Sequence, residues 1–149
     1  MMKLNEFLVK AKITGYPTGE AETLETGAKV LSYQEGDYKY VDTYFGFDPF
    51  IGEEIVFYQG KFIWGMNYYG GIVSEKVSAN EMIVFLKKAM SLVKTDRPFR
   101  GPSKFNEGNW KYTDESQGTI EKFKGKEKIY YQEELVYELD YHGGMIKGK

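Results

Sequence analysis

The sequence predicts an α+β fold: one antiparallel sheet of about five to eight strands, a long helix over about 78–94 packed on one of its faces, and a short N-terminal helix over about 4–13. Three observations predict it. Runs rich in Tyr, Phe, Val and Thr are separated by short turn signals, which implies hairpins and antiparallel pairing. One stretch carries a wide apolar stripe at helical spacing behind a capping signal. The order is helix, strand block, helix, strand block, with no alternation of single strands and helices. The 149 residues suit a single domain, with a core over 4–144 and a loose tail over 145–149. No internal repeat and no linker is expected to divide it.

The elements follow in order. Leu4, Phe7, Leu8 and Ala11 share one helical face, Asn5 is a candidate cap, and Gly15 and Pro17 are expected to stop the helix. Residues 14–27 carry only Tyr16 and Leu24 as large apolar groups and read as a mobile surface loop. Strands are expected at 29–34 and 38–47, divided by Glu35-Gly36-Asp37, with Asp48-Pro49 as a break. Further strands at 53–58 and 61–69 flank Gln59-Gly60, a tight-hairpin signal because Gly accepts positive φ. On the second arm Phe62, Trp64, Met66 and Tyr68 alternate with Ile63 and Tyr69, so a central strand covered on both faces is expected. Ser78-Ala79-Asn80-Glu81 is a capping box, and Met82, Ile83, Phe85, Leu86, Ala89, Met90 and Val93 form the stripe behind it. Pro98, Gly101, Pro102 and Gly108 make 95–108 irregular. Last come strands at 110–113, 119–123, 128–131 and 134–141.

Composition excludes several chemistries. There is no cysteine, so disulfides and thiolate sites are ruled out, and the single histidine, His142, cannot build a multi-histidine metal site. No cofactor or metal is expected. The net charge of −2 gives no electrostatic case for nucleic acid. No apolar run reaches the roughly 18–20 residues of a membrane helix, and no secretory signal is seen, so a cytoplasmic protein without membrane contact is expected. No Gly-x-Ser-x-Gly elbow, phosphate loop or dinucleotide pattern is present. His142 reads as a surface or capping residue. Lys122, Lys124, Lys126 and Lys128, interspersed with Glu121 and Glu127, read as a solvated hairpin.

Three constellations are candidates for function. Between Tyr38 and Tyr69 there are 12 aromatics, nearly half of the 25 in the chain. They suit sheet packing, or the wall of a groove in which tyrosine hydroxyls and Asn67 orient a ligand. The chain's two arginines, Arg97 and Arg100, share a proline-bounded loop. They suit a bidentate anion anchor, or ion pairs to the acidic segment 48–54. Asp42, Asp48, Glu53 and Glu54 lie in or beside the aromatic block. Paired carboxylates near aromatic platforms are the layout of glycoside hydrolysis.

The strings Tyr44-Phe45-Gly46-Phe47-Asp48-Pro49-Phe50-Ile51-Gly52-Glu53-Glu54, Trp64-Gly65-Met66-Asn67-Tyr68-Tyr69-Gly70 and Arg97-Pro98-Phe99-Arg100-Gly101-Pro102 together resemble an uncharacterised bacterial domain of unknown function. The resemblance covers roughly residues 4–144. That domain occurs alone or behind a phage-repressor-type helix-turn-helix. The resemblance implies no catalytic residue, and with the domain starting at Leu4 it implies a stand-alone copy.

The expectation is a small-molecule binding or sensory module rather than an enzyme. Its aromatic groove would use Tyr44, Trp64, Asn67 and Tyr68, with Arg97 and Arg100 as anchors for a small aromatic or anionic ligand. The alternatives are a protein–protein interaction or oligomerisation domain and a carboxylate-dependent hydrolase. Either a monomer or a homodimer is compatible with the sequence.

Overall fold

The computed structural model describes the backbone of residues 1–18 and 21–149, and side chains outside 16–20. The expectation for Tyr16 lies outside the described side chains. The elements are α1 (Leu4–Thr18), β1 (Glu22–Thr23), β2 (Lys29–Glu35), β3 (Tyr38–Gly46), β4 (Phe50–Tyr58), β5 (Lys61–Ile72), α2 (Ala79–Met90), β6 (Lys104–Glu107), β7 (Trp110–Thr119), β8 (Lys122–Tyr131) and β9 (Glu134–Met145). Among the described residues the strands form one antiparallel nine-stranded sheet in the order β1-β2-β3-β4-β5-β9-β8-β7-β6. No helix among them is long and apolar enough to cross a membrane.

Strand number and several boundaries differ from expectation. The expected loop 14–27 contains the short edge strand β1, and the expected irregular segment 95–108 contains β6. Both are brief because they lie at sheet edges, where a long open strand invites foreign pairing. The expected strand at 119–123 is a turn: Gly118 sits at φ 92 and the chain reverses at Ile120 and Glu121, so β7 and β8 are longer than expected and pair from Trp110↔Tyr131 to Thr119↔Lys122. α1 continues past Gly15 to Thr18. The first two residues of the expected tail are tied down: β9 runs to Met145 and the Ile146 N–H donates to the Ile63 carbonyl at 2.9 Å.

α2 is not the long helix expected to reach residue 94. It opens on the Ser78–Glu81 capping box and ends at Met90. There the Ser91 hydroxyl donates to the Lys88 carbonyl at 2.6 Å, and the amides of Leu92 and Val93 turn back to Ala89 and Met90. Short i→i−3 bonds tighten and close the last turn. Met82, Phe85, Leu86, Ala89 and Met90 are buried. Phe85 stacks on Phe105 and Trp110 at 5.5 and 5.3 Å. Burial of each larger side chain contributes about 1.5–3 kcal/mol.

Contrary to the expectation of no repeat, the chain folds as two related halves. Apart from the two-residue edge strand β1, which has no counterpart, α1-β2-β3-β4-β5 and α2-β6-β7-β8-β9 have the same element order and mirror one another in the sheet. Phe7-Leu8 and Ala11 of α1 correspond to Phe85-Leu86 and Ala89 of α2. Lys39-Tyr40, Asp42 and Gly46 of β3 return as Lys111-Tyr112, Asp114 and Gly118 of β7, and both glycines have positive φ, 88° and 92°. Gly52, Glu54 and Val56 of β4 return as Gly125, Glu127 and Ile129 of β8, each strand with a bulge just after the last of these. Trp64, Met66, Tyr68 and Gly70 of β5 correspond to Tyr137, Leu139, Tyr141 and Gly143 of β9. The β5–β9 ladder joins the halves, with Tyr68 opposite Tyr141, Met66 opposite Gly143 and Gly70 opposite Leu139. Its register maps onto itself under a two-fold rotation about the Tyr68–Tyr141 pair. The repeat is hidden because it is confined mostly to alternate, inward-facing positions, while the outward positions between them differ.

Candidate functional site

The inward face carries a buried polar network built twice. Tyr68, on β5, lies over Gly52 of β4 and its hydroxyl donates to Asp42 of β3 at 2.6 Å. Tyr141, on β9, lies over Gly125 of β8 and donates to Asp114 of β7 at 2.7 Å. Beside each aspartate, in register, is a fully buried glutamate: Asp42↔Glu54 and Asp114↔Glu127. Four buried carboxyl groups cannot all be charged without partners.

The halves supply those partners differently. Lys12 of α1, itself buried, pairs with Glu54 at 3.0 Å, sits over the Trp64 ring and donates to the Phe99 carbonyl. The corresponding position on α2 is Met90. In its place Arg100 comes in from the loop beside Met90 Sδ and binds Glu127 through Nε at 3.2 Å and Nη2 at 3.0 Å. Tyr112 and Tyr137 also donate to Glu127. Arg97 pairs with Asp114 at 3.2 Å. Burial, and then the neighbouring Glu54, push Asp42 up to about 7; burial, and then Glu127, push Asp114 up to about 6. Burial drives Lys12 down.

The opposite face of the same strands forms an open groove. Side chains alternate across a sheet, so the residues between the buried ones project from its other side. Two rows cross six strands. One runs Phe45, Ile51, Tyr69, Asp140, Lys126, Glu115; the other runs Thr43, Glu53, Asn67, His142, Lys124, Gln117. The two-fold rotation exchanges the rows, yet their chemistry is unlike. The apolar Phe45, Ile51 and Tyr69 correspond to the polar Gln117, Lys124 and His142. All twelve line a cavity of about 1390 Å³, together with Gly52, Tyr68, Arg97, Asp114, Ser116, Gly125 and Tyr141. A second hollow of about 930 Å³ continues beside it and shares Glu53, Asn67, Gln117, Lys124 and His142. The exposures of Phe45, Ile51 and Tyr69, 45, 54 and 56%, are large for apolar side chains in central strands.

The expected site residues separate. Asn67, Tyr68 and Arg97 line the cavity. Trp64 is fully buried, stacked on Phe123 at 5.6 Å, with Nε1 donating to the Ile120 carbonyl at 3.2 Å. Tyr44 packs against the core at the position that Ser116 holds in the other half. Arg100 is buried on Glu127. The arginine loop is tied to Asp114 and Glu127. Of the four candidate acids, Asp42 and Glu54 face inward, Glu53 lines the groove, and Asp48 accepts from the Ile72 N–H at 2.7 Å. Phe45, Ile51, Tyr69 and His142 also line the cavity and are not among the expected site residues. Their signal was the second phase of the strand alternation, which the abundance of large apolar residues on both phases concealed.

Residues 42–146 match the model of a family described as a domain of unknown function (DUF5680). No curated protein and no solved structure matches the chain significantly.

Proposed function

The chain belongs to the DUF5680 family of domains of unknown function, so its role is read from its own geometry, and we propose that it is a small-molecule-binding module whose ligand lies in the outward groove. One observation carries this reading: the groove lies over the axis relating the halves, and where one half places the apolar Phe45, Ile51 and Tyr69 the other places the polar Gln117, Lys124 and His142. A ring-bearing apolar wall and a few convergent polar groups are the usual elements of a ligand site. Inside, the duplicated network makes the floor rigid. Each inward tyrosine is wedged over a glycine and bonded to an aspartate, so the strands carrying the walls are held in register from beneath. On this reading Asn67 orients the ligand and Phe45 and Tyr69, in place of Tyr44 and Trp64, supply the aromatic wall.

The test is a fragment library read by 15N–1H correlation spectra. Binding should shift Ile51, Asn67, Tyr69 and His142 together and leave α1 amides in place. Shifts confined to the helical face would refute the reading. So would a light-scattering dimer that is abolished by Tyr69→Ser, which would make the same face an interface between copies.

A further inference from the structure

The polar half of the groove has an uneven distribution of charge that narrows the ligand class; this inference rests on the groove being the binding site. Lys122, Lys124, Lys126 and Lys128 occupy alternate positions of β8, an interior strand, and so project from its outward face. Lysine is uncommon in strands, and like charges on one face repel unless acids stand beside them. Acids stand beside two of the four. Lys126 lies between Asp140 and Glu115 and pairs with Asp140 at 3.5 Å, and Lys128 lies opposite Glu138. Lys124 lies between His142 and Gln117, and Lys122 between Gly144 and Thr119. Neither of these two forms an ion pair among the described residues. Of the acids that line the second hollow, Glu121 accepts from the Thr119 hydroxyl, and Glu53 is separated from His142 by Asn67. Lys124 and His142 line both hollows.

We infer that the groove takes an amphipathic monoanion, an aryl carboxylate, whose ring lies on Ile51 and Tyr69 and whose carboxylate sits between Lys124 and His142. All four residues belong to the outward face and to the consecutive strands β4, β5, β9 and β8. Ile51 is directly opposite Tyr69, and His142 is directly opposite Lys124. Asp140 is the residue opposite Tyr69, so the step from Tyr69 to His142 is the diagonal one, about 7–8 Å. One bicyclic aryl acid covers that step. Lys124 supplies a charged donor and His142 a ring N–H. Asp140, the acid beside that step, is already engaged by Lys126. A cationic ligand would face the unmatched Lys124, and a neutral one would gain nothing from its charge.

The experiment is calorimetry on the intact chain at pH 7.5 with three probes that share one ring system: 2-naphthoate, 2-naphthamide and 2-naphthylmethylamine. Naphthoate should bind at least about fivefold more tightly than the amide or the amine, the upper worth of one solvent-facing ion pair. Lys124→Gln, a change at an exposed position, should bring naphthoate within about twofold of the amide and leave the affinity for the amide unchanged. Lys128→Gln, opposite Glu138, should keep the preference. An amide or amine that binds the unmodified chain as tightly as naphthoate, or more tightly, would overturn the anion assignment while leaving the groove as a binding site. A preference for naphthoate that survives Lys124→Gln would overturn the placement of the carboxylate. Failure of all three probes to bind would overturn both the ligand class and the groove.

Discussion

Tyr68 and Tyr141 face one another across the β5–β9 ladder, and their hydroxyls reach away from the axis to matching aspartates, Asp42 at 2.6 Å and Asp114 at 2.7 Å. Between each tyrosine and its aspartate lies a strand with glycine at the crossing point. A Cβ at Gly52 would fall 2.2 Å from Tyr68 Oη, and one at Gly125 the same distance from Tyr141 Oη. Both glycines are therefore required for clearance.

Gly52→Ala and Gly125→Ala should each destabilise by about 1–3 kcal/mol through overpacking and displacement of the tyrosine. Urea unfolding measures this. Adding Tyr68→Ala to Gly52→Ala should cost less than the sum of the single changes, because the alanine then has room. Strict additivity would mean that the ring is not what the methyl meets.

Arg100 and Lys12 are alternative solutions to one problem, a buried glutamate in each half. Arg100→Met strands Glu127 and should cost about 3–5 kcal/mol. Met90→Lys in that background places the cation where α1 places Lys12 and should restore part of the loss. A further fall in the urea midpoint would show that Met90 and Lys12 are not equivalent.

Asp42 and Asp114 also set a pH dependence. Both are raised in the folded state, to about 7 and about 6. Between the ordinary aspartate range and those values the folded chain holds more protons than the unfolded one, so these groups favour folding most at acid pH, and that contribution is lost as pH rises through about 6–7. The melting temperature should fall from pH 5 to pH 8. Asp42→Asn should flatten the slope, since the amide is permanently neutral. An unchanged slope in Asp42→Asn would remove Asp42 as its cause.

Phe85→Asp buries a charge among Phe105 and Trp110 and should abolish the cooperative thermal transition. Phe45→Ser, on the open face, should change stability by within about 0.5 kcal/mol. The same substitution should weaken any ligand held in the groove. Calorimetric melting and ligand titration of the two variants separate the inward face from the outward one.

Much of the architecture was legible because its signals are local. The Ser78–Glu81 box and the stripe from Met82 to Met90 specify α2 over a few turns, and Gln59-Gly60 specifies the β4–β5 hairpin, with both residues at positive φ. The repeat was not legible by scanning, because Tyr40, Asp42, Gly52, Glu54 and Tyr68 recur at alternate positions among unlike neighbours. The candidate site was half legible. Asn67, Tyr68 and Arg97, singled out by residue type, line the cavity, but Trp64, the most conspicuous aromatic, belongs to the core.

The sequence alone determined the α+β class, the antiparallel pairing by short turns and the set of residues from which a groove could be made. Those depend on period, cap and turn, which act over a few neighbours. Only the tertiary structure decided that Trp64 faces the helices while Tyr69 faces outward, that Arg100 is spent on Glu127, and that Arg97 and Asp114 are paired with one another. Alternation along a strand has two phases, and which one is buried is settled by what packs against the sheet. Charge partners such as Arg100 and Glu127 lie in separate elements, so their pairing exists only once the strands between them are in place.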